Sequence, residues 1–162
     1  MYSQYSKNER ARELFYQLKL WFTSKGWSFD PHEDDLVIVS GVKGDDLPIK
    51  FLFSIREEQE ILLYMSELPF SIPQDKLVET AVAVCYVNDK ILNGSFDLSF
   101  KNNRLTFKLC TSYYGGTLTQ NTIEYMVRVA YNTIEMYNDK LYLLIGGNIS
   151  LNEFMSEVDK LS

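Results

Sequence analysis

The chain has 162 residues, of which 46% are hydrophobic and 14% are aromatic. A chain of this length and composition can bury a substantial core, which argues against intrinsic disorder. Its 16 Lys and Arg residues and 22 Asp and Glu residues give a net charge of −6. The basic residues form no cluster, so we predict no binding to nucleic acid, which depends on attraction to phosphates.

The amino-terminal segment is polar, and no apolar run approaches the roughly 20 residues that span a bilayer. We therefore predict a cytoplasmic protein that does not associate with a membrane. Two cysteines, Cys85 and Cys110, are too few for a disulfide scaffold, and we expect both to be buried thiols. The chain has no low-complexity linker and no internal repeat, which favours a single domain over residues 1–162.

The first half of the chain predicts one helix followed by strands. The helix begins at a capping box formed by Ser6 and Glu9 and ends at Gly26. Segments rich in β-branched and aromatic residues then follow, at 35–42, 49–55 and 61–67. The short turns between these segments indicate antiparallel neighbours.

The second half predicts a helix, a hairpin and a long helix. The helix begins near Pro73 and runs to about Asn88. Two strands with alternating apolar residues pair across a turn at Asn102–Asn103. The long helix runs from the N-cap Thr119 to Ile145 and ends at a pair of glycines.

A last short helix begins at a second capping box, formed by Ser150 and Glu153. The predicted order is therefore α-βββ(β)-α-ββ-α-α. This order is typical of the α+β class, with helices packed on an antiparallel sheet of five or six strands.

Catalytic motifs are missing from the sequence. His32 is the only histidine, and Leu36 occupies the position where a zinc protease has its second histidine. The chain contains no G-x-S-x-G elbow, no glycine-rich phosphate loop and no C-x-x-C pair. We predict that the protein is not an enzyme and needs no cofactor or metal.

Acidic turns at residues 33–35 and 45–46 leave one alternative open. Carboxylates suit a hard cation, but the spacing lacks the alternate ligands of a calcium loop, so solvated turn charges are the favoured interpretation. The alternative is a small ligand-binding or metal-binding domain, or an enzyme that uses carboxylates such as Asp34, Asp35 or Asp45.

The second predicted helix is apolar around most of its circumference, so it is expected to be buried on more than one side. Two interpretations follow. In the first, the helix lies sandwiched inside the monomer. In the second, one side packs on the sheet and the other forms a twofold dimer interface, for which the candidate residues are Val78, Val82 and Tyr86.

The long helix carries a main apolar stripe and a thinner second stripe. The second stripe consists of Tyr125, Val129, Met136 and Leu143. The favoured interpretation is that the short last helix folds over it with Phe154 and Met155. The alternative is a groove for an apolar segment of another protein, with Tyr125, Val129 and Met136 as candidate residues.

Residues 93–147, with turns at Asn93–Gly94 and Gly115–Gly116, resemble the second half of the YbjN-like family. Together with the preceding strands and helix, the resemblance extends over nearly the whole chain. The family is described as bacterial sensory transduction regulators and is similar in fold to type III secretion chaperones. This resemblance implies a small, acidic, usually dimeric protein that binds segments of other proteins.

The sequence as a whole predicts a non-catalytic, cytoplasmic protein-interaction module that is chaperone-like or regulatory. Its expected partner is another protein or a segment of one, and a homodimer is expected. The missing motifs, the apolar second helix and the resemblance support this prediction together.

Overall fold

The computed structural model describes residues 6–161, which form four α-helices and six strands. The helices are α1 (Lys7–Lys25), α2 (Leu77–Asn88), α3 (Gln120–Ile145) and α4 (Leu151–Asp159), and a short 3-10 helix at Gln74–Lys76 precedes α2. The strands are β1 (Phe29–His32), β2 (Val37–Lys43), β3 (Pro48–Arg56), β4 (Ile61–Ser71), β5 (Ser95–Ser99) and β6 (Arg104–Ser112). The predicted α+β class and element order are confirmed. The predicted domain of 1–162 includes residues 1–5 and 162, which lie outside the described range.

The six strands form one sheet in the order β1-β2-β3-β4-β6-β5, and all neighbours are antiparallel. β1 is the strand that the segment-by-segment prediction missed. Its four residues include Pro31, which is tolerated because β1 lies at the edge of the sheet. β5 forms the opposite edge and pairs with β6 across the predicted turn.

Local capping signals fix the helix ends where they were predicted. The Ser6 Oγ accepts a hydrogen bond from the Glu9 N–H at 3.2 Å, and the Ser6 N–H donates to Glu9 Oε2 at 2.7 Å. The bond from the Ser6 N–H, followed by the Ser6 hydroxyl, lowers the pKa of the Glu9 carboxyl. Gly26 ends α1 with a φ of 67°, a left-handed conformation that glycine adopts without a steric cost.

The core lies between the helices and one face of the sheet. Alternating residues of β3 and β4 point to this face, where the Phe51 and Tyr64 rings stack with centroids 5.0 Å apart. Phe22 of α1 packs edge-on against Phe53 at 6.2 Å. The other face of the sheet carries no helix among the described residues, and we call it the open face.

Both cysteines are unpaired but exposed, so the prediction that they are buried was wrong. Cys85 points outward from α2, and Cys110 lies on the open face beside Leu63 of β4. Their apolar sequence neighbours suggested burial because α2 and β6 are each buried on the opposite side. Within residues 6–161, no helix is both long enough and apolar enough to cross a bilayer.

Candidate functional site

The outward side of α2 is apolar and uncovered. Val78 is 73% exposed and Val82 is 45% exposed, and Cys85 lies on the same side of the helix. We call these three residues the α2 surface. The interpretation of α2 as a helix sandwiched inside the monomer is wrong, because its burial is confined to one side, at Leu77, Thr80, Ala83, Val84 and Val87.

Tyr86, the third candidate on α2, is half-buried and bonded to α4. Its hydroxyl donates to Asp159 Oδ1 at 2.6 Å, and Lys90 Nζ lies 2.9 Å from the same oxygen. The hydrogen bond with Asp159 raises the pKa of Tyr86, and the bonds from Tyr86 and then Lys90 lower the pKa of Asp159. Tyr86 therefore joins α2 to α4, and its hydroxyl is already engaged within the chain.

The second stripe of α3 also stays uncovered. Tyr125 is 45% exposed, Met136 is 41% exposed and Val129 is half-buried. The favoured prediction that α4 covers this stripe was therefore wrong. α4 packs against both α2 and α3, where Phe154 and Val158 are completely buried. We call Tyr125, Val129, Met136 and Leu143 the α3 stripe.

The open face of the sheet contains a depression of about 510 Å³ that the sequence analysis did not identify. It lies where the pairing of β4 with β6 shifts register between Glu67 and Ser71. Val39, Leu52 and Met65 are among its apolar lining residues. The sequence contains a signal for this apolar surface, because apolar residues occupy both alternating sets of positions in β2, β3 and β4 and so lie on both faces of the sheet.

Two pairs of opposite charges lie on the strands at one side of this apolar centre. Arg104 lies 2.8 Å from Glu67, and Lys108 lies 2.7 Å from Asp97. These exposed pairs use side chains of β4, β5 and β6, so each of these charges has a partner of opposite sign.

The predicted carboxylate candidates do not converge on a metal site. Asp34, Asp35 and Asp45 are exposed, and the described residues contain no group of three or more His, Cys, Asp or Glu placed to hold a metal ion. The Asp45 N–H donates to Glu135 Oε2 at 2.7 Å. His32 is exposed, with its Nε2 3.4 Å from Asp30 Oδ2.

Comparison with protein families gives a match over residues 16–143 to the YbjN family, described as "Putative bacterial sensory transduction regulator". A search among curated proteins gives no significant match.

Solved structures share the fold at low identity. The crystal structure of YbjN from E. coli, described as "a putative transcription regulator", has a TM-score of 0.56 and 15% identity, and the match covers 75% of this chain and 86% of that chain. A chain of the ExsC–ExsE complex has a TM-score of 0.57 and 13% identity, with 81% and 95% covered. A chain of the HopA1–SchA chaperone–effector complex has a TM-score of 0.51 and 18% identity, with 78% and 94% covered.

At these identities the structural likeness shows the fold alone. The family match is stronger, because it begins within α1, ends within α3 and spans well over half of the chain. The protein belongs to the YbjN family.

Proposed function

We propose that the protein is a non-catalytic protein-interaction module that acts in the cytoplasm, in a chaperone-like or regulatory role, as a homodimer. The observation that carries this proposal is the α2 surface, where a helix of the folded chain leaves two valines in water. Fully burying an exposed valine side chain is worth about 1.5 kcal/mol or more, and less at Val82, which is already partly buried, so a second copy of the same surface is a favourable partner.

The comparisons support binding to another protein. ExsC–ExsE and HopA1–SchA are each complexes of two proteins, and each contains a chain with this fold. The description of the YbjN family is that of a regulator. No catalytic motif of the kinds considered is present in the sequence.

The α3 stripe is the proposed surface for a segment of the partner. It runs from Tyr125 to Leu143, a span of about 27 Å along the helix. An apolar helix or extended segment of a partner protein can lie along such a stripe, and the flexible Met136 side chain adapts to different shapes. The stripe and the α2 surface lie on different helices and share no residue.

The homodimer is tested by measuring molar mass with light scattering or sedimentation. The wild-type chain is expected to have twice the monomer mass, and a variant with Val78→Asp and Val82→Asp is expected to be a monomer. Leu20→Asp on α1 is the matched control, because Leu20 is 41% exposed and lies on another helix. A monomeric wild type, or a dimer that both sets of substitutions weaken equally, would contradict the proposed interface.

The segment-binding surface is tested by affinity capture from a lysate of the source cell. The variant Tyr125→Asp, Met136→Asp changes two exposed residues and leaves the half-buried Val129 in place. We expect the wild type to retain a partner protein that this variant loses, while the control Tyr16→Asp on α1 retains it. If the wild type retains nothing above background, the chaperone-like role loses its support.

A further inference from the structure

A cleft of about 440 Å³ shares no lining residue with the α2 surface or the α3 stripe. It is bounded by the end of α1, the end of β2 and the first half of α3. Its apolar wall contains both tryptophans of the chain, Trp21 and Trp27, whose rings meet edge to face at 5.5 Å. Two aromatic rings at this distance offer faces and edges on which a third ring can pack.

Positive charge is concentrated around this cleft, although the whole chain has a net charge of −6. Lys25, Lys43 and Arg128 line it together with one carboxylate, Glu124. Lys25 Nζ lies 2.8 Å from Glu124 Oε2, and this hydrogen bond is the main reason that the pKa of Glu124 is lowered. Lys43 and Arg128 are exposed and form no ion pair with any residue in the range 6–161.

The cleft also contains a buried donor that has no acceptor. Trp21 is 3% exposed, and its indole Nε1–H makes no hydrogen bond within the described part of the chain. The Glu124 carboxylate lies close to this indole. Lys25 lowers the pKa of Glu124 most, and the indole makes a smaller contribution without meeting the geometry of a hydrogen bond. Because this nitrogen has almost no exposed surface and Glu124 lies beside it, Trp21 offers a ligand its ring and not its N–H.

Further carboxylates lie on the side of the cleft formed by Tyr131. Burial, followed by the charges of Glu135 and Asp45, raises the pKa of this phenol. Glu135 is already bonded to the Asp45 N–H. An anion is therefore expected to bind at Arg128, away from these two carboxylates.

We propose that this cleft binds a small molecule that carries an aromatic ring and a carboxylate. The ring packs against Trp21 and Trp27. The carboxylate accepts hydrogen bonds from the Arg128 guanidinium, which is suited to two parallel bonds, and Lys43 supplies a second positive charge in the lining of the cleft. This ligand site shares no residue with the proposed dimer and partner surfaces.

The two tryptophans allow a direct test, because any change in tryptophan emission comes from the cleft. The probe is phenylacetate, and phenylacetamide is the neutral control of the same shape. We expect the emission of the wild-type chain to change with phenylacetate concentration until the site is saturated. We expect the amide to bind at least about tenfold more weakly. Calorimetry on the same solutions provides a second measure of binding.

Matched variants separate the guanidinium from general charge effects. Arg128→Gln is expected to weaken phenylacetate binding about tenfold, the effect of losing a charge-assisted hydrogen bond. Lys101→Gln removes the same charge from the exposed β5–β6 turn and is expected to change binding less than twofold, because screened charges act weakly at a distance. The proposal is overturned if phenylacetate gives no saturable signal, if the amide binds equally well, or if the two variants have equal effects.

Discussion

At the scale of single residues, the turn between β3 and β4 depends on Glu60. This residue is 3% exposed, has a left-handed φ of 51° and accepts a hydrogen bond from Arg10 Nε at 2.8 Å. Its carbonyl accepts from the Tyr113 N–H at 2.9 Å. One residue of a turn therefore contacts both the start of α1 and the end of β6.

Arg10→Met is expected to lower the free energy of unfolding by about 3 kcal/mol, because it leaves the buried Glu60 carboxylate without its cation. The measurement is urea unfolding followed by circular dichroism. Adding Glu60→Gln to Arg10→Met should restore part of the loss, since the amide carries no charge to desolvate. If the double variant is as unstable as the sum of the two single variants, the two side chains are not coupled.

Tyr113 is expected to make stability depend on alkaline pH. Its side chain is buried, its hydroxyl has no partner among the described residues, and burial raises its pKa from 10.0 to about 12. Because the folded pKa is raised, the stability contributed by the protonated phenol is complete below pH 10 and is lost as the pH rises towards 12.

Unfolding in urea at several pH values between neutral and 12 tests this expectation. Tyr113→Phe should be neutral or slightly stabilising at pH 7, because it removes an unpaired buried hydroxyl. It should also reduce the fall in stability above pH 10. An unchanged fall in the variant would assign the alkaline dependence to other groups.

At the scale of elements, α2 closes one edge of the sheet through a side chain. Asn88 Nδ2 donates to the Phe96 carbonyl at 2.9 Å, and its Oδ1 accepts from the Phe96 N–H at 2.9 Å. The side-chain amide thus bonds to β5 as the backbone of another strand would. At the other edge, β1 is short and contains Pro31. Both edges are therefore poor templates for pairing with another chain.

Asn88→Ala is expected to lower the free energy of unfolding by about 2 kcal/mol, because it removes two hydrogen bonds and frees the edge groups of Phe96. It should also increase aggregation, which light scattering during incubation measures. Asn132→Ala on the exposed side of α3 is the matched control. Equal stability and equal aggregation of the two variants would show that the Asn88 bonds do not protect this edge.

Elements whose signals are local could be predicted, and contacts between distant elements could not. Ser6, Glu9 and Gly26 fix the ends of α1 within a few residues, so the prediction and the structure agree there. The position of α4 depends on contacts between distant elements: which apolar side of α3 faces the sheet, and which helices lie beside α4. Periodicity identified Tyr125 and Met136 as a second stripe, but it did not reveal that α4 leaves them exposed.

The candidate surfaces follow the same division. Helical spacing in the sequence was enough to select Val78 and Val82 as candidates. Only the structure shows that both are exposed. The cleft around Trp21 could not be predicted from the sequence, because it is formed by residues far apart in the chain. Lys25 and Glu124, for example, are 99 positions apart. No local pattern relates residues at that separation.

At the scale of the whole molecule, α4 lies beyond residues 16–143, the part that matches the family, yet it completes the core. Phe154 and Val158 are completely buried against the other helices. The described helical layer therefore depends on a segment that the family match does not include.

Phe154→Ala is expected to lower the free energy of unfolding by about 3 to 5 kcal/mol, because it leaves a cavity in a fully buried site. Met155→Ala, at a half-buried position on the same helix, is the control and should cost clearly less. Thermal and urea unfolding of the two variants give the comparison. A loss for Phe154→Ala as small as that for Met155→Ala would mean that α4 packs loosely and contributes little to the core.

The sheet has one covered and one open face, and each side of the molecule carries one exposed thiol. Cys85 lies in the helical layer and Cys110 on the open face. Alkylation followed by mass spectrometry therefore reports on the two sides separately, without any engineered label. A bound protein that protects Cys85 and not Cys110 occupies the helical side, and the reverse pattern places it on the sheet.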